Sequence, residues 1–182
     1  LNWIEFPKHP QKWNRWAQTV VDEIRQIDAR HPIVIEPGPG GLCWGYRDFP
    51  LLQGDNLIYS VHMYQPHDYT HQGISDIRNT DLAKAYLERQ RPWPGTYGED
   101  PPGLWDRAKL ADALTPAVEF QQKHGVRMLV GEFSAVRWAP NAAGYLHDLV
   151  GIFERLGWDW CYHSYQEFHG WNLECDDQFS DE

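Results

Sequence analysis

An α/β fold with about four parallel strands is predicted by two features of the sequence. Four segments with helical apolar spacing alternate with four short strand-forming runs. That order calls for parallel strands joined by right-handed crossovers. Each run also empties into a polar, aromatic loop, the edge where parallel α/β sheets carry their chemistry.

Residues 1–15 are rich in Pro and Trp and read as loop. A helix is predicted over Trp16–Ala29, where Ala17, Val20, Val21, Ile24 and Ile27 recur at helical spacing. It closes at His31-Pro32, since the residue before a proline avoids the helical region. Ile33-Val34-Ile35 reads as a buried parallel strand running into the loop Glu36–Gly41. A second strand is predicted over Asn56–Met63. Residues 65–103 read mostly as loop, with one helix near Thr80–Arg89 and four prolines in Arg91–Gly103. A loop system of that length in a compact domain is usually functional. A helix over Trp105–His124 with Gly125 as its stop, a strand over Arg127–Val130, a helix over Ala142–Leu156 ending at Gly157 and a strand over Trp158–Ser164 complete the alternation. The aromatic loop Tyr165–Leu173 and an acidic tail follow.

Composition narrows the function. The 182 residues fit one domain, and 42% hydrophobic with 23% charged residues describes a globular chain. No apolar run approaches the ~18 residues of a membrane span. A net charge of −10 lacks the basic footprint of a nucleic-acid binder. Ten tryptophans are an excess that suits either sugar stacking or packing. Cys43, Cys161 and Cys175 form no CxxC pair, and their pairing is left open. No signal peptide is read at Leu1–Glu5, and the chain reads as processed or as part of something longer.

Glu132 is the sharpest chemical candidate, because it stands where the apolar strand Met128-Leu129-Val130 opens into a loop. His62 and Tyr64 are alternate residues at the end of the second strand, so both side chains can enter one cleft. His62, His67 and His71 lack zinc spacing, and neither a phosphate loop nor a Gly-x-Ser-x-Gly elbow is present, so no metal or cofactor is expected. After the last strand His163, Glu167, Trp171 and Glu174 crowd one loop. Trp171 is a candidate sugar platform, and Glu167 and Glu174 are candidate second carboxylates.

Four passages together resemble the C-terminal half of glycoside hydrolase family 5, the cellulase family. They are Asp22–Pro37, Val61-His62-Met63-Tyr64-Gln65-Pro66, Leu129-Val130-Gly131-Glu132-Phe133-Ser134 and Trp158–Trp171. The resemblance implies half of a (β/α)8 barrel in a single domain over residues 1–182, running from the family's fourth helix through its eighth strand. It implies retaining hydrolysis of a β-glycan such as cellulose or mannan, with Glu132 as nucleophile and His62, Tyr64, Trp138, His163 and Trp171 as substrate contacts. The family's Asn-Glu-Pro, which carries its acid/base glutamate, does not occur in the sequence, and its eighth-strand tryptophan falls near His163. Impaired activity follows as an expectation. The alternative reading is an inactive half-barrel scaffold or carbohydrate-binding module. The family also favours a secreted or periplasmic location. Half a barrel leaves two sheet edges open, so a homodimer that completes the closure is expected, with Glu167 or Glu174 of the second copy approaching Glu132.

Overall fold

The computed structural model describes residues 10–74, 85–98 and 102–176. Its framework is a four-stranded, all-parallel sheet in the order β1-β2-β5-β6, with β1 at Ile33–Ile35, β2 at Leu57–Met63, β5 at Arg127–Phe133 and β6 at Asp159–Trp160. Helix α1 spans Pro10–Ile27 and precedes β1. Helices α3 (Arg107–Ala113) and α4 (Thr115–His124) lie between β2 and β5, and α5 (Ala142–Leu156) lies between β5 and β6. The alternation therefore stands as the sequence predicts.

One face of the sheet is buried under the helices. Tyr59, Val61 and Met63 of β2 and Met128, Val130 and Phe133 of β5 are all at most 2 % exposed. Tyr59 meets Phe120 of α4 at 5.0 Å between ring centroids, and Phe133 meets Phe153 of α5 edge-on at 5.1 Å. Burying each such side chain contributes about 1.5–3 kcal/mol. The opposite face carries Ser60, His62 and Glu132.

Several elements differ from expectation for identifiable reasons. Helix α1 begins six residues early, at Pro10, a residue suited to a first helical turn because it has no N–H to leave unpaired. Only part of its apolar stripe is covered: Ala17 and Val21 are buried, whereas Val20 and Ile27 are 51 % and 91 % exposed. The single helix expected over 105–124 is two, broken at Leu114, because Pro116 cannot donate into a continuing helix and instead opens α4. Asp106 caps α3 by accepting the Lys109 N–H at 2.9 Å.

The long connection after β2 holds more structure than its prolines suggest. It contains a short helix α2 at His67–Thr70, a helical turn at residues 85–88 and an antiparallel ribbon of β3 (Gly95–Tyr97) and β4 (Gly103–Trp105). The helix expected near Thr80–Arg89 is described only over residues 85–88, because residues 75–84 lie outside the described set. Trp93, Tyr97 and Tyr69 pack with Tyr145 of α5, and the Trp93 indole donates to Asp148 at 2.9 Å. The aromatic residues thus fasten this connection to the core. A 3₁₀ turn at Cys43–Arg47, also unforeseen, packs on α4 through Tyr46 and Phe120.

Strand β6 is two residues long where seven were expected. Beyond it, Cys161 donates to Val130 and His163 donates to Phe133. Two steps along this chain therefore match three along β5. The mismatch ends the regular ladder, and its source is an extra residue in β5 at Gly131. All three cysteines are free, and burial pushes the Cys43 thiol up to about 12.

Candidate active site

The extra residue at Gly131 also aims Glu132. In a regular strand Glu132 would share the helix-facing side with Met128 and Val130. The pairing of β2 with β5 runs Val61 to Val130 and then His62 to Glu132, passing over Gly131. This bulge turns Glu132 to the open face beside His62. Only glycine fits there: a Cβ on residue 131 would stand 2.5 Å from Ser60 Oγ and 3.1 Å from Glu36 Oε1.

Around Glu132 the strand ends supply a continuous set of polar contacts. Tyr64 OH donates to Glu132 Oε2 at 2.9 Å, and His62 Nδ1 lies 3.5 Å from the same oxygen. On the far side of the imidazole, His62 Nε2 meets Glu36 Oε1 at 2.8 Å, and Ser60 Oγ donates to that oxygen at 2.9 Å. Tyr64 OH also lies 3.0 Å from His163 Nδ1, and His163 Nε2 lies 2.8 Å from Glu167 Oε2. Three carboxylates, two histidines and a tyrosine are thereby linked across β1, β2, β5 and the loop after β6.

The His62 ring lies flat against Gly41, where a Cβ would come within 2.8 Å of His62 Cγ and where φ is +67°. Both constraints require glycine. Burial opposes the His62 charge, but the bond to Glu36 and the charges of Glu36 and Glu132 outweigh it and raise its pKa. Burial likewise opposes the Glu36 charge, yet His62 and Ser60 hold that carboxyl below its usual range. Tyr64 is raised by burial and by Glu132, so it stays a protonated donor.

The structure brings together His62, Tyr64, Glu132, His163 and Glu167. Trp171 stands beside them, its ring 5.8 Å from Tyr64 and 5.4 Å from His163. Glu174 instead accepts from Gln166 Nε2 at 2.9 Å. Trp138 is corrected: it is 4 % exposed, its indole donates to Gln72 O at 2.8 Å, and its ring crowds Gly170. Its faces are closed to a sugar, and it braces the loop instead. His67 and His71 stack at 3.7 Å, and burial lowers His71 to about 4. Among the described residues no group of three or more His, Cys, Asp or Glu is placed to hold a metal ion, and no helix is long and apolar enough to cross a membrane. Glu36 and Ser60 escaped the sequence reading. Glu36 ends an apolar strand just as Glu132 does, and that signal was available, but Pro37 and the glycines after it read as loop.

The chain is similar to known proteins along most of its length. Endoglucanase C of Acetivibrio thermocellus is 23% identical over 161 residues, covering 79% of this chain and 46% of that protein. Endoglucanase 3 of Fibrobacter succinogenes is 37% identical over 68 residues, 35% of this chain and 10% of the relative. Among solved structures, the endoglucanase Cel5A of Thermotoga maritima superposes with a TM-score of 0.71 at 24% identity, over 90% of this chain and 49% of that one. The cellulose synthase subunit Z of Clostridioides difficile gives 0.71 at 18% identity, over 90% and 50%. At these identities the superpositions speak for the fold, and they identify it as part of a (β/α)8 barrel. The chain spans about half the length of the barrels it matches. Residues 2–169 match the family model Cellulase (glycosyl hydrolase family 5), and the chain belongs to that family.

Proposed function

We propose that these residues form the nucleophile-bearing half of a retaining β-glycan hydrolase site, acting on a β-linked substrate such as cellulose or mannan. The observation that carries the reading is the position of Glu132, whose Oε2 accepts from the Tyr64 hydroxyl and lies 3.5 Å from His62 Nδ1. Oε1 has no such contact among the described residues and is the oxygen left to attack. In the first step Oε1 bonds to the anomeric carbon as the bond to the leaving oxygen breaks, and the leaving oxygen takes up a proton. Water then attacks the same carbon and gives up one proton to solvent as the sugar–Glu132 ester bond breaks and the Glu132 carboxylate is freed. Tyr64 and His62 orient Glu132, and Trp171 stands beside Tyr64 and His163.

The proton donor is the weak element. The family's Asn-Glu-Pro is absent from the sequence, and Glu167 is engaged with His163. Substrates with good leaving groups need little acid assistance. The test is therefore hydrolysis of activated aryl β-glycosides by the wild type and by Glu132→Ala with and without azide. Turnover that is lost in the variant and restored by azide, with a glycosyl azide product, supports the reading. Equal rates in both proteins would favour the second reading, a carbohydrate-binding half-barrel.

The proposed homodimer rests on β1 and β6 being the sheet's two edges, and on exposed Trp16, Val20, Ile27 and Val34 beside β1. Light scattering tests it, and a monomeric mass at high concentration would end it.

A further inference from the structure

Glu36 takes no part in the reaction written above, yet its carboxylate is built into the site with care. Its backbone carbonyl accepts the Trp13 indole N–H of α1 at 2.8 Å, which fixes the end of β1. Its Oε1 accepts from Ser60 and contacts His62 Nε2. The absence of a side chain at Gly131 leaves room for that oxygen, and Gly41 leaves room for the ring. Beneath Ser60, Tyr46 OH donates to its carbonyl at 2.6 Å and holds β2 in place.

His62 is set between two carboxylates. His62 is faced by Glu36 from the end of β1 and by Glu132 from β5; Tyr64, at the end of β2, reaches the same Glu132 oxygen, and His163 lies behind Tyr64. Glu36 Oε1 is an ionised acceptor, so His62 Nε2 carries its proton toward it. That commitment turns Nδ1 to Glu132. With a carboxylate on each side, a proton on Nδ1 is favoured as well. The arrangement is that of a carboxylate orienting a histidine which in turn serves a reactive centre.

We propose that Glu36 is a positioning residue for the nucleophile: acting through His62, it fixes the imidazole so that Nδ1 faces Glu132 Oε2 and holds that carboxylate in place for attack. The proposal rests on the reading of Glu132 as nucleophile. Removing the Glu36 charge removes the leading contributions that raise the His62 pKa against the burial that lowers it. The imidazole then loses the contact that fixes it against Glu132.

The test reads His62 directly, by NMR of ¹⁵N-histidine protein through a pH series, with His62→Asn for assignment. In the wild type His62 should carry both ring protons at neutral pH and titrate above the ordinary histidine range. In Glu36→Gln that titration should move down toward the ordinary histidine value. The acid limb of the rate at which an activated 2-fluoro cellobioside labels the protein should move as well, with the probe's saturation constant unchanged. Glu36→Asp, which keeps the charge, should restore the His62 titration. The proposal is overturned if wild-type His62 titrates at or below the ordinary value. It is equally overturned if Glu36→Gln lowers the labelling rate uniformly with both titrations unmoved. Should Glu36→Gln not fold, the wild-type and Glu36→Asp titrations decide. If the wild type is never labelled, the nucleophile reading fails while the His62 titration still judges Glu36.

Discussion

The seam between β2 and β5 and the margin formed by β1 and α1 come from similar sequence patterns but reach different ends. At the seam, the apolar side chains Val61, Met63, Val130 and Phe133 are at most 1 % exposed, and the polar ones on the other face bind one another. At the margin, α1 turns Ala17 and Val21 inward and leaves Val20 and Ile27 outside, next to the half-exposed Val34. Apolar periodicity reports that a face is suited to burial. It does not report how much of that face its own chain covers. The seam is therefore where burial and polar contacts are concentrated, and the margin is where apolar surface stays exposed.

That contrast can be broken most severely by deleting its two anchors. Glu132→Gln should lower aryl glycoside turnover by about 10³-fold or more, since removing a nucleophile removes its whole pathway, with the melting temperature kept. Phe153→Ala, under Phe133 and 0 % exposed, should cost about 3–5 kcal/mol in denaturant unfolding. Gly131→Ala should cost about 1–3 kcal/mol, because its Cβ would meet Ser60 Oγ at 2.5 Å. It should also displace the His62 resonances, whereas a structural glycine remote from the site would leave them in place. Tyr64→Phe deletes one hydrogen bond to a carboxylate, worth about 1.5–3 kcal/mol, and should slow turnover roughly 10- to 100-fold. At the margin, Val20→Ser with Ile27→Ser should shift the light-scattering mass toward the monomer and change unfolding of the monomer by no more than about 0.5 kcal/mol. A large stability loss there would mean that the seam–margin distinction is false.

The smallest effect expected is on the pH dependence of stability. His62 is raised above its ordinary 6.5, so its contribution is complete below that value and is lost as pH rises through its folded-state titration. Glu36 is lowered from 4.5, so its contribution is present above that value and is lost as pH falls through its folded-state titration. Thermal melts should therefore show a plateau between the two ordinary values that Glu36→Gln flattens from both sides.

Much of this was legible in the sequence. β1, the helix at Ala142–Leu156 and the placement of Glu132, His62 and Tyr64 at strand ends follow from short apolar runs and the residues that close them. Three features did not follow. The bulge at Gly131 is a one-residue register change that local pattern cannot reveal, although it decides which face Glu132 takes. Trp138 has the composition of a sugar platform, but long-range contacts with Gln72 and Gly170 bury it. Glu36 was read as the start of a Pro-Gly loop, and its bond to His62 spans 26 residues.

The most direct measurement is intact-mass spectrometry after incubation with gluco-, manno- and cello-configured activated 2-fluoro β-glycosides, followed by peptide mapping. These probes react with a retaining nucleophile without acid help. One adduct per chain on Glu132, absent from Glu132→Gln, is the predicted result. No adduct from any of the three probes, or adducts that persist in the variant, would contradict the account.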